Sequence, residues 1–362
     1  MAETLFLQDI LDTPASLENT LAQVGNQPYE IASALLAKGA CRFVTLGSGS
    51  SLYASKASVY LHNALARPEG SLALVAPTGD NALYPVPLSS SDALIGVSVS
   101  GEIVDLLDLF KEVRGQHQLV GITNVAGSSL TRLVDHTLLT KAGPALVPTS
   151  TKAFVTSIAA LDLLWLGLLR AQGVSEADSL FPELSAMPAA TSRSLSQAMS
   201  QVATAADCLA RCSRFFIFGA GPAFAVAQEA ALVFKEVAGL PAEAVQAREM
   251  AHGMVSIADG NLGVIAINPP GRGQAAARQV LAQFASFGAA TLEVTGGDEA
   301  GPGRLCLDVP CHELLTPFVY SGPVFVLANE LAGLRGVDTD HPAWEAQYLR
   351  EVRRLGNCSL TA

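Results

Sequence analysis

The sequence predicts an α/β protein made of two tandem units, each a parallel sheet with helices on both faces. Three observations carry that expectation. Short continuous apolar runs such as 42–46 and 93–97 alternate with stretches of helical apolar spacing, the pattern of strands buried on both faces. The run Arg214-Phe215-Phe216-Ile217-Phe218-Gly219-Ala220-Gly221 repeats Arg42-Phe43-Val44-Thr45-Leu46-Gly47-Ser48-Gly49 at a constant offset of 172 residues (47 to 219), and further strands follow it in the same order. At 362 residues, with 50% hydrophobic and 15% charged, the chain exceeds one ordinary core and can build two.

In order, residues 3–24 predict a leading helix (Leu5, Phe6, Ile10, Leu11, Leu17, Leu21, Val24) and about 28–38 a second. A strand at 42–46 leads through Gly47-Ser48-Gly49-Ser50-Ser51 into a helix ending at Leu65. Strands follow at 72–76, 93–97, 119–123 and 136–139, with helices near 103–114 and 127–134. Pro148-Thr149-Ser150-Thr151-Lys152 then opens a long helix to about Leu169. The Ser/Ala-rich interval 172–211 predicts a connecting helix using Leu195, Met199 and Val202. After the repeat, strands are expected at 263–268, 290–294 and 305–309, and a helix from about Pro317 to Leu334. The expected organisation is an N-terminal helix to residue 26, a first domain 27–171, a connector 172–211, a second domain 212–345 and a tail 346–362.

The net charge of −11 and the pI near 5.0 argue against nucleic acid or an anionic membrane as partner. No run of 18 or more apolar residues is present, and no basic segment precedes an apolar stretch at the N-terminus, so a soluble cytoplasmic protein is expected. Six cysteines in so long a chain suggest no disulfide framework, and none is paired with His at zinc spacing, so no metal is expected.

At Val97-Ser98-Val99-Ser100-Gly101-Glu102 an apolar strand gives way to a helix, placing hydroxyls beside unpaired backbone N–H groups at the positive end of the helix dipole. That is an anion site, although a plain Ser N-cap followed by Glu has the same letters. The glycine loops 47–49 and 219–221 suggest a dinucleotide, but Leu52 and Phe224 stand where its third small residue belongs. Neither loop has triphosphate-binding spacing, so no cofactor is expected. Ser48, Ser50 and Ser51 instead suit a single phosphate. The first unit keeps hydroxyls at three junctions (48–51, 98–100, 149–151); the second lacks them but carries Lys235-Glu236, Glu243, Glu249 and His252. Such a division points to one site between two units.

Taken in order, Gly49-Ser50-Ser51, Ser98-Val99-Ser100-Gly101-Glu102, Ser150-Thr151-Lys152-Ala153-Phe154, Lys235-Glu236, Ala242-Glu243-Ala244 and Glu249-Met250-Ala251-His252-Gly253 resemble the tandem sugar isomerase (SIS) domain family, over about residues 27–345. The resemblance is to the isomerase half of glucosamine-6-phosphate synthase and to amino-sugar-phosphate deaminases. It implies that Ser51, Ser98 and Ser100 hold the phosphate of a sugar 6-phosphate, and that Ser150, with Thr151 beside it, lines the sugar pocket. Glu236 would move the proton between C1 and C2. His252 would open the ring, contributed by a neighbouring subunit, which implies a homodimer with a shared active site. Val99 and Ile103 replace a glutamine and a threonine of the family.

Residue chemistry agrees. A desolvated carboxylate can serve as base near neutrality, and histidine titrates in the range that ring opening needs. Alone, Glu236 could be a surface glutamate, although Leu232, Val233, Phe234 and Val237 surround it, and His252 could cap a helix before Gly253. In the tail, Asp338-Thr339-Asp340-His341-Pro342 echoes the family, but Glu351 stands where the family has a lysine, and Arg350 cannot form a Schiff base. No Cys follows Met1, so glutamine-dependent amination by this chain alone is not expected. The expected reaction is isomerising deamination of glucosamine 6-phosphate or a close relative. Simple aldose–ketose isomerisation and a non-catalytic phosphosugar sensor are the alternatives.

Overall fold

The computed structural model describes residues 4–297 and 299–342; Arg350 and Glu351 lie outside the described residues. Two five-stranded parallel sheets dominate. The first comprises β1 (Arg42–Gly47), β2 (Leu72–Pro77), β3 (Asp92–Val97), β4 (Gln118–Thr123) and β5 (His136–Leu139), in the order β2-β1-β3-β4-β5. The second comprises β6 (Arg214–Gly219), β7 (Ala242–Gln246), β8 (Leu262–Asn268), β9 (Ala290–Gly296) and β10 (Arg304–Leu307), in the order β10-β9-β8-β6-β7. Read from the other edge, this is the same winding. The internal repeat is therefore a duplication of topology. In each copy the winding reverses at the first strand, the place where open parallel sheets bind ligands.

The helices, in chain order, are α1 (Leu5–Leu11), α2 (Thr13–Val24), α3 (Gln27–Ala37), α4 (Ser50–Leu65), α5 (Thr78–Leu83), α6 (Val104–Val113), α7 (Ser129–Leu133), α8 (Lys152–Ala171), α9 (Glu176–Ser185), α10 (Met187–Leu209), α11 (Pro222–Ala238), α12 (Gln274–Ser286) and α13 (Thr316–Leu334). Strand alternation divides the apolar side chains between two faces. Phe43, Phe215 and Ile217 point into a core that both units share, with Trp165, Phe154, Phe234, Phe318 and Phe325 from α8, α11 and α13. Val44, Leu46 and Phe110 fill the outer layer of the first sheet, and Phe216, Phe218 and Phe284 that of the second. The expectation of a separate core for each unit is thus met only on the outer faces. The inner faces are buried against each other's helices.

Three expectations needed correction. The leading helix over 3–24 is two helices, broken at Asp12, with Pro14 in the first turn of the second. The connector is likewise α9 and α10, with Pro188 opening the latter. Strand β7 was not anticipated. It pairs only with β6 at the sheet edge and is half-exposed, so Ala-Glu-Ala-Val-Gln carries no continuous apolar run. Helix α8 and the stretch Glu313–Leu334 are long and apolar enough, on average, to cross a membrane; both lie almost wholly inside the core, which accounts for their apolarity.

Candidate active site

Three strand-to-helix junctions of the first unit and one helix of the second carry most of the candidate residues. The chain leaves β1 and turns at Gly49 (φ 54°, ψ −129°), and Gly221 repeats that turn (φ 56°, ψ −132°) after β6. Helix α4 begins at Ser50, and the Ser51 N–H donates to the Ser48 carbonyl at 3.2 Å. Ser51 is buried, Ser50 half-buried and Ser48 exposed. At the end of β3, the Ser98 N–H extends the ladder to Ile122 O at 3.0 Å, and Ser98 Oγ accepts from the Gly101 N–H at 3.0 Å. Ser98 is fully buried, whereas Ser100 is exposed and accepts from the Glu102 N–H at 3.2 Å. The Glu102 carboxylate accepts from the Ser129 N–H at 2.8 Å, a bond that holds its pKa below the usual range.

The third junction divides its hydroxyls. Ser150 Oγ is buried with no hydrogen-bond partner among the described residues. Thr151 turns away from the cup: its hydroxyl donates to the Asp9 carboxylate, and Lys152 Nζ sits 3.0 Å from Asp9 and 3.3 Å from Asp12. Its place in the structure is an anchor of the loop, whereas the sequence had suggested a pocket lining. Thr149 faces the other way. Its buried hydroxyl makes no hydrogen bond of good geometry among the described residues, but it lies near enough the Glu236 carboxyl, close to the end of α11, to favour the ionised form. Burial pushes the Glu236 pKa up, while Thr149 and the adjacent Lys235 ammonium oppose the rise. The second unit's carboxyl and the first unit's hydroxyl loop are therefore neighbours. Helix α11 also packs on the first loop, where a Cβ on Gly49 would lie 3.9 Å from Leu232 Cδ2.

Two residues that the sequence did not single out neighbour Glu236. Glu229, seven residues before Glu236 and on the same face of α11, is fully buried. Its pKa is pushed well above the usual range by burial first; the Ser50 hydroxyl opposes the rise and the Glu236 charge adds to it. The Ser50 hydroxyl faces it, but neither carboxyl oxygen makes a hydrogen bond of good geometry among the described residues. Tyr53 on α4 is half-buried, and burial, then the charges of Glu229 and Glu236, raise its pKa. The phenol thus stays a proton donor. The heptad spacing of Glu229 and Glu236 was the one signal in the sequence.

His252 follows a short 3₁₀ turn (Glu249–Ala251) beyond β7, and its N–H donates to Glu249 O at 2.9 Å. The side chain is exposed on the outer edge of the second sheet. Within one chain, Thr149 of the first unit neighbours Glu236 and Ser50 neighbours Glu229, whereas His252 follows edge strand β7. Among the described residues, no three His, Cys, Asp or Glu side chains are grouped to hold a metal ion. Two hollows of about 520 and 490 Å³ lie elsewhere, the first lined by Tyr29, Arg170 and Phe181, the second by Asn19, Asn124 and Lys141.

Burial of Glu229 makes a stability prediction. The folded state keeps its proton to a higher pH than the unfolded chain, where glutamate ionises near 4.5. Raising the pH above that value therefore favours unfolding, by on the order of 1.4 kcal/mol per pH unit until the folded-state pKa is reached. Glu229→Gln, which mimics the protonated form, is expected to stabilise the protein more at pH 8 than at pH 5 in paired thermal melts.

A family model described as the SIS domain matches residues 40–167 and 208–332. The chain belongs to the SIS domain family. Its two SIS segments coincide with the two sheets. Over 344 residues the chain is 31% identical to glutamine–fructose-6-phosphate aminotransferase [isomerizing] of Pyrobaculum aerophilum, covering 93% of this chain and 56% of that one. It is 32% identical over 349 residues to the protein of the same name from Thermus thermophilus, covering 93% and 57%. The chain thus spans little more than half the length of these relatives. Among solved structures, the C-terminal domain of glucosamine-fructose-6-phosphate aminotransferase from Francisella tularensis superposes with a TM-score of 0.86 at 22% identity, covering 94% of this chain and 99% of that one. Glucosamine-6-phosphate deaminase from Thermotoga maritima does so with 0.70 at 20%, covering 94% and 98%.

Proposed function

We propose that this SIS protein is a cytoplasmic enzyme that converts glucosamine 6-phosphate, or a closely related amino-sugar 6-phosphate, to ketose 6-phosphate and ammonia. The observation that carries the reading is the placement of a half-buried carboxyl, Glu236, against the hydroxyl loop of the opposite domain. The phosphate docks at the α4 and β3–α6 junctions, on Ser51, Ser98 and Ser100 with Ser48 and Ser50 beside them, where backbone N–H groups offset an overall charge of −11. Ser150 faces the sugar.

In the open-chain substrate, ionised Glu236 removes the proton from C2 as the C1 carbonyl oxygen takes up a proton from solvent, and the electrons form an enolamine between C1 and C2. Protonated Glu236 returns the proton to C1, giving an iminium at C2 that loses a nitrogen-bound proton to solvent to become the imine. Water adds to that imine, and the substrate's own nitrogen departs as ammonia. The scheme needs neither a glutamine donor nor a lysine Schiff base. His252 opens the ring from a neighbouring subunit in a homodimer, a role compatible with its exposure on an outer edge.

The test is to incubate the protein with glucosamine 6-phosphate and quantify ammonia and fructose 6-phosphate. Equimolar release is expected. Interconversion of glucose and fructose 6-phosphates without ammonia would assign simple isomerisation. Binding of both without turnover would assign a sensor.

A further inference from the structure

The hydroxyl loop between β5 and α8 is 12 residues long (140–151), yet it is tied down along its length by helices that lie outside both SIS-matched segments. On α2, the Thr20 hydroxyl donates to Thr140 O, and Ser16 Oγ donates to Ala142 O at 2.9 Å. On α1, the Asp9 carboxylate accepts from the Leu146 N–H at 2.9 Å, from the Thr151 hydroxyl and from Lys152 Nζ at 3.0 Å. Asp9 is 1% exposed and Lys152 4%, so their ion pair is shielded from solvent, while the exposed Asp12 carboxylate lies 3.3 Å from the same ammonium. Helix α1 is held in turn from the far end of the chain. Asp340 accepts from the N–H groups of Leu5 and Phe6 at 2.9 and 3.0 Å, and Thr4 Oγ1 donates to Asn329 Oδ1 at 3.0 Å. Of the loop residues, Thr151 is spent on Asp9, while Thr149, two residues away, meets Glu236.

We propose that Asp9 is a positioning residue: through Leu146, Thr151 and Lys152 it fixes the loop so that Thr149 stays against Glu236, making the N-terminal helix part of the active-site machinery. This rests on the functional reading above for its meaning in catalysis, though its geometry does not. Among the described residues, the groups facing Glu236 include Thr149 from the loop, Lys235 and Glu229 from its own helix, and Tyr53 from α4. Only the first is held by Asp9. Freeing the loop removes a group that favours the ionised carboxylate, so the Glu236 pKa rises.

The experiment titrates the Glu236 side-chain carboxyl by NMR in ¹³C-glutamate-labelled full-length protein, with the signal assigned by its loss in Glu236→Gln. Asp9→Asn is expected to raise the midpoint by about 0.5 pH unit or more, as Thr149→Val does, and the double variant to go no further than Thr149→Val alone. If Asp9→Asn does not fold, Asp9→Leu/Lys152→Met removes the ion pair without stranding a buried charge and carries the same expectation. A midpoint unmoved by the Asp9 variants but moved by Thr149→Val would overturn the proposal, as would additive shifts. The reading of the site fails separately, by undiminished turnover in Glu236→Gln, and the titration decides the role of Asp9 in either case.

Discussion

Replacing Glu236 by Gln is expected to lower turnover of glucosamine 6-phosphate by about 10³-fold or more, within the range that positioned acid–base groups supply. Affinity should change far less. The amide keeps the size and much of the hydrogen bonding of the carboxyl but cannot carry a proton between C1 and C2, so the loss falls on kcat. The pH dependence has a definite sign. Glu236 acts as base only when ionised, and burial raises its pKa above the ordinary value near 4.5. The wild-type rate therefore climbs with pH through that raised value, placing the acidic limb above the usual glutamate range. Steady-state kinetics from pH 4 to 8 check both points. A variant that retains wild-type kcat would remove Glu236 from the reaction.

What the sequence disclosed and what it withheld follow from the range of the interactions. Buried parallel strands such as β3 and β8 are continuous apolar runs, so they are legible locally. Edge strand β7 takes half its definition from β6, which lies distant in sequence, and its letters do not declare it. The serine loops were legible because strand, glycine and hydroxyl are consecutive. Glu229 and Tyr53 were not, since their role depends on α4 of one unit meeting α11 of the other. Thr151 shows the limit most sharply. Its motif marks the loop, but that its own hydroxyl is engaged by Asp9, some 140 residues earlier, could not be read from neighbouring letters.

Gly101→Ala tests the other half of the site, and its effect should fall on binding. Gly101 sits at φ 69°, where an L side chain costs roughly 1–2 kcal/mol, and a Cβ there would overlap the Ser128 side chain. Its N–H bonds to the Ser98 carbonyl and hydroxyl at 3.1 and 3.0 Å, and its carbonyl accepts from Leu130 N at 3.0 Å. The loop cannot absorb a methyl group without moving Ser98 and Ser100 together. Hydrogen bonds to a charged group contribute about 1.5–3 kcal/mol each, so misplacing two donors should raise the Kd for fructose 6-phosphate by about 10²-fold or more. Ser100→Ala, which removes one donor and its bond from the Glu102 N–H but keeps the glycine at 101, should cost about tenfold. Calorimetric titration with fructose 6-phosphate, and with fructose as the uncharged control, separates the phosphate contribution from that of the sugar. The chain's overall charge repels an anion, so any phosphate affinity must come from fixed local donors. Unchanged phosphate affinity in Gly101→Ala would move the anion site away from the β3–α6 junction.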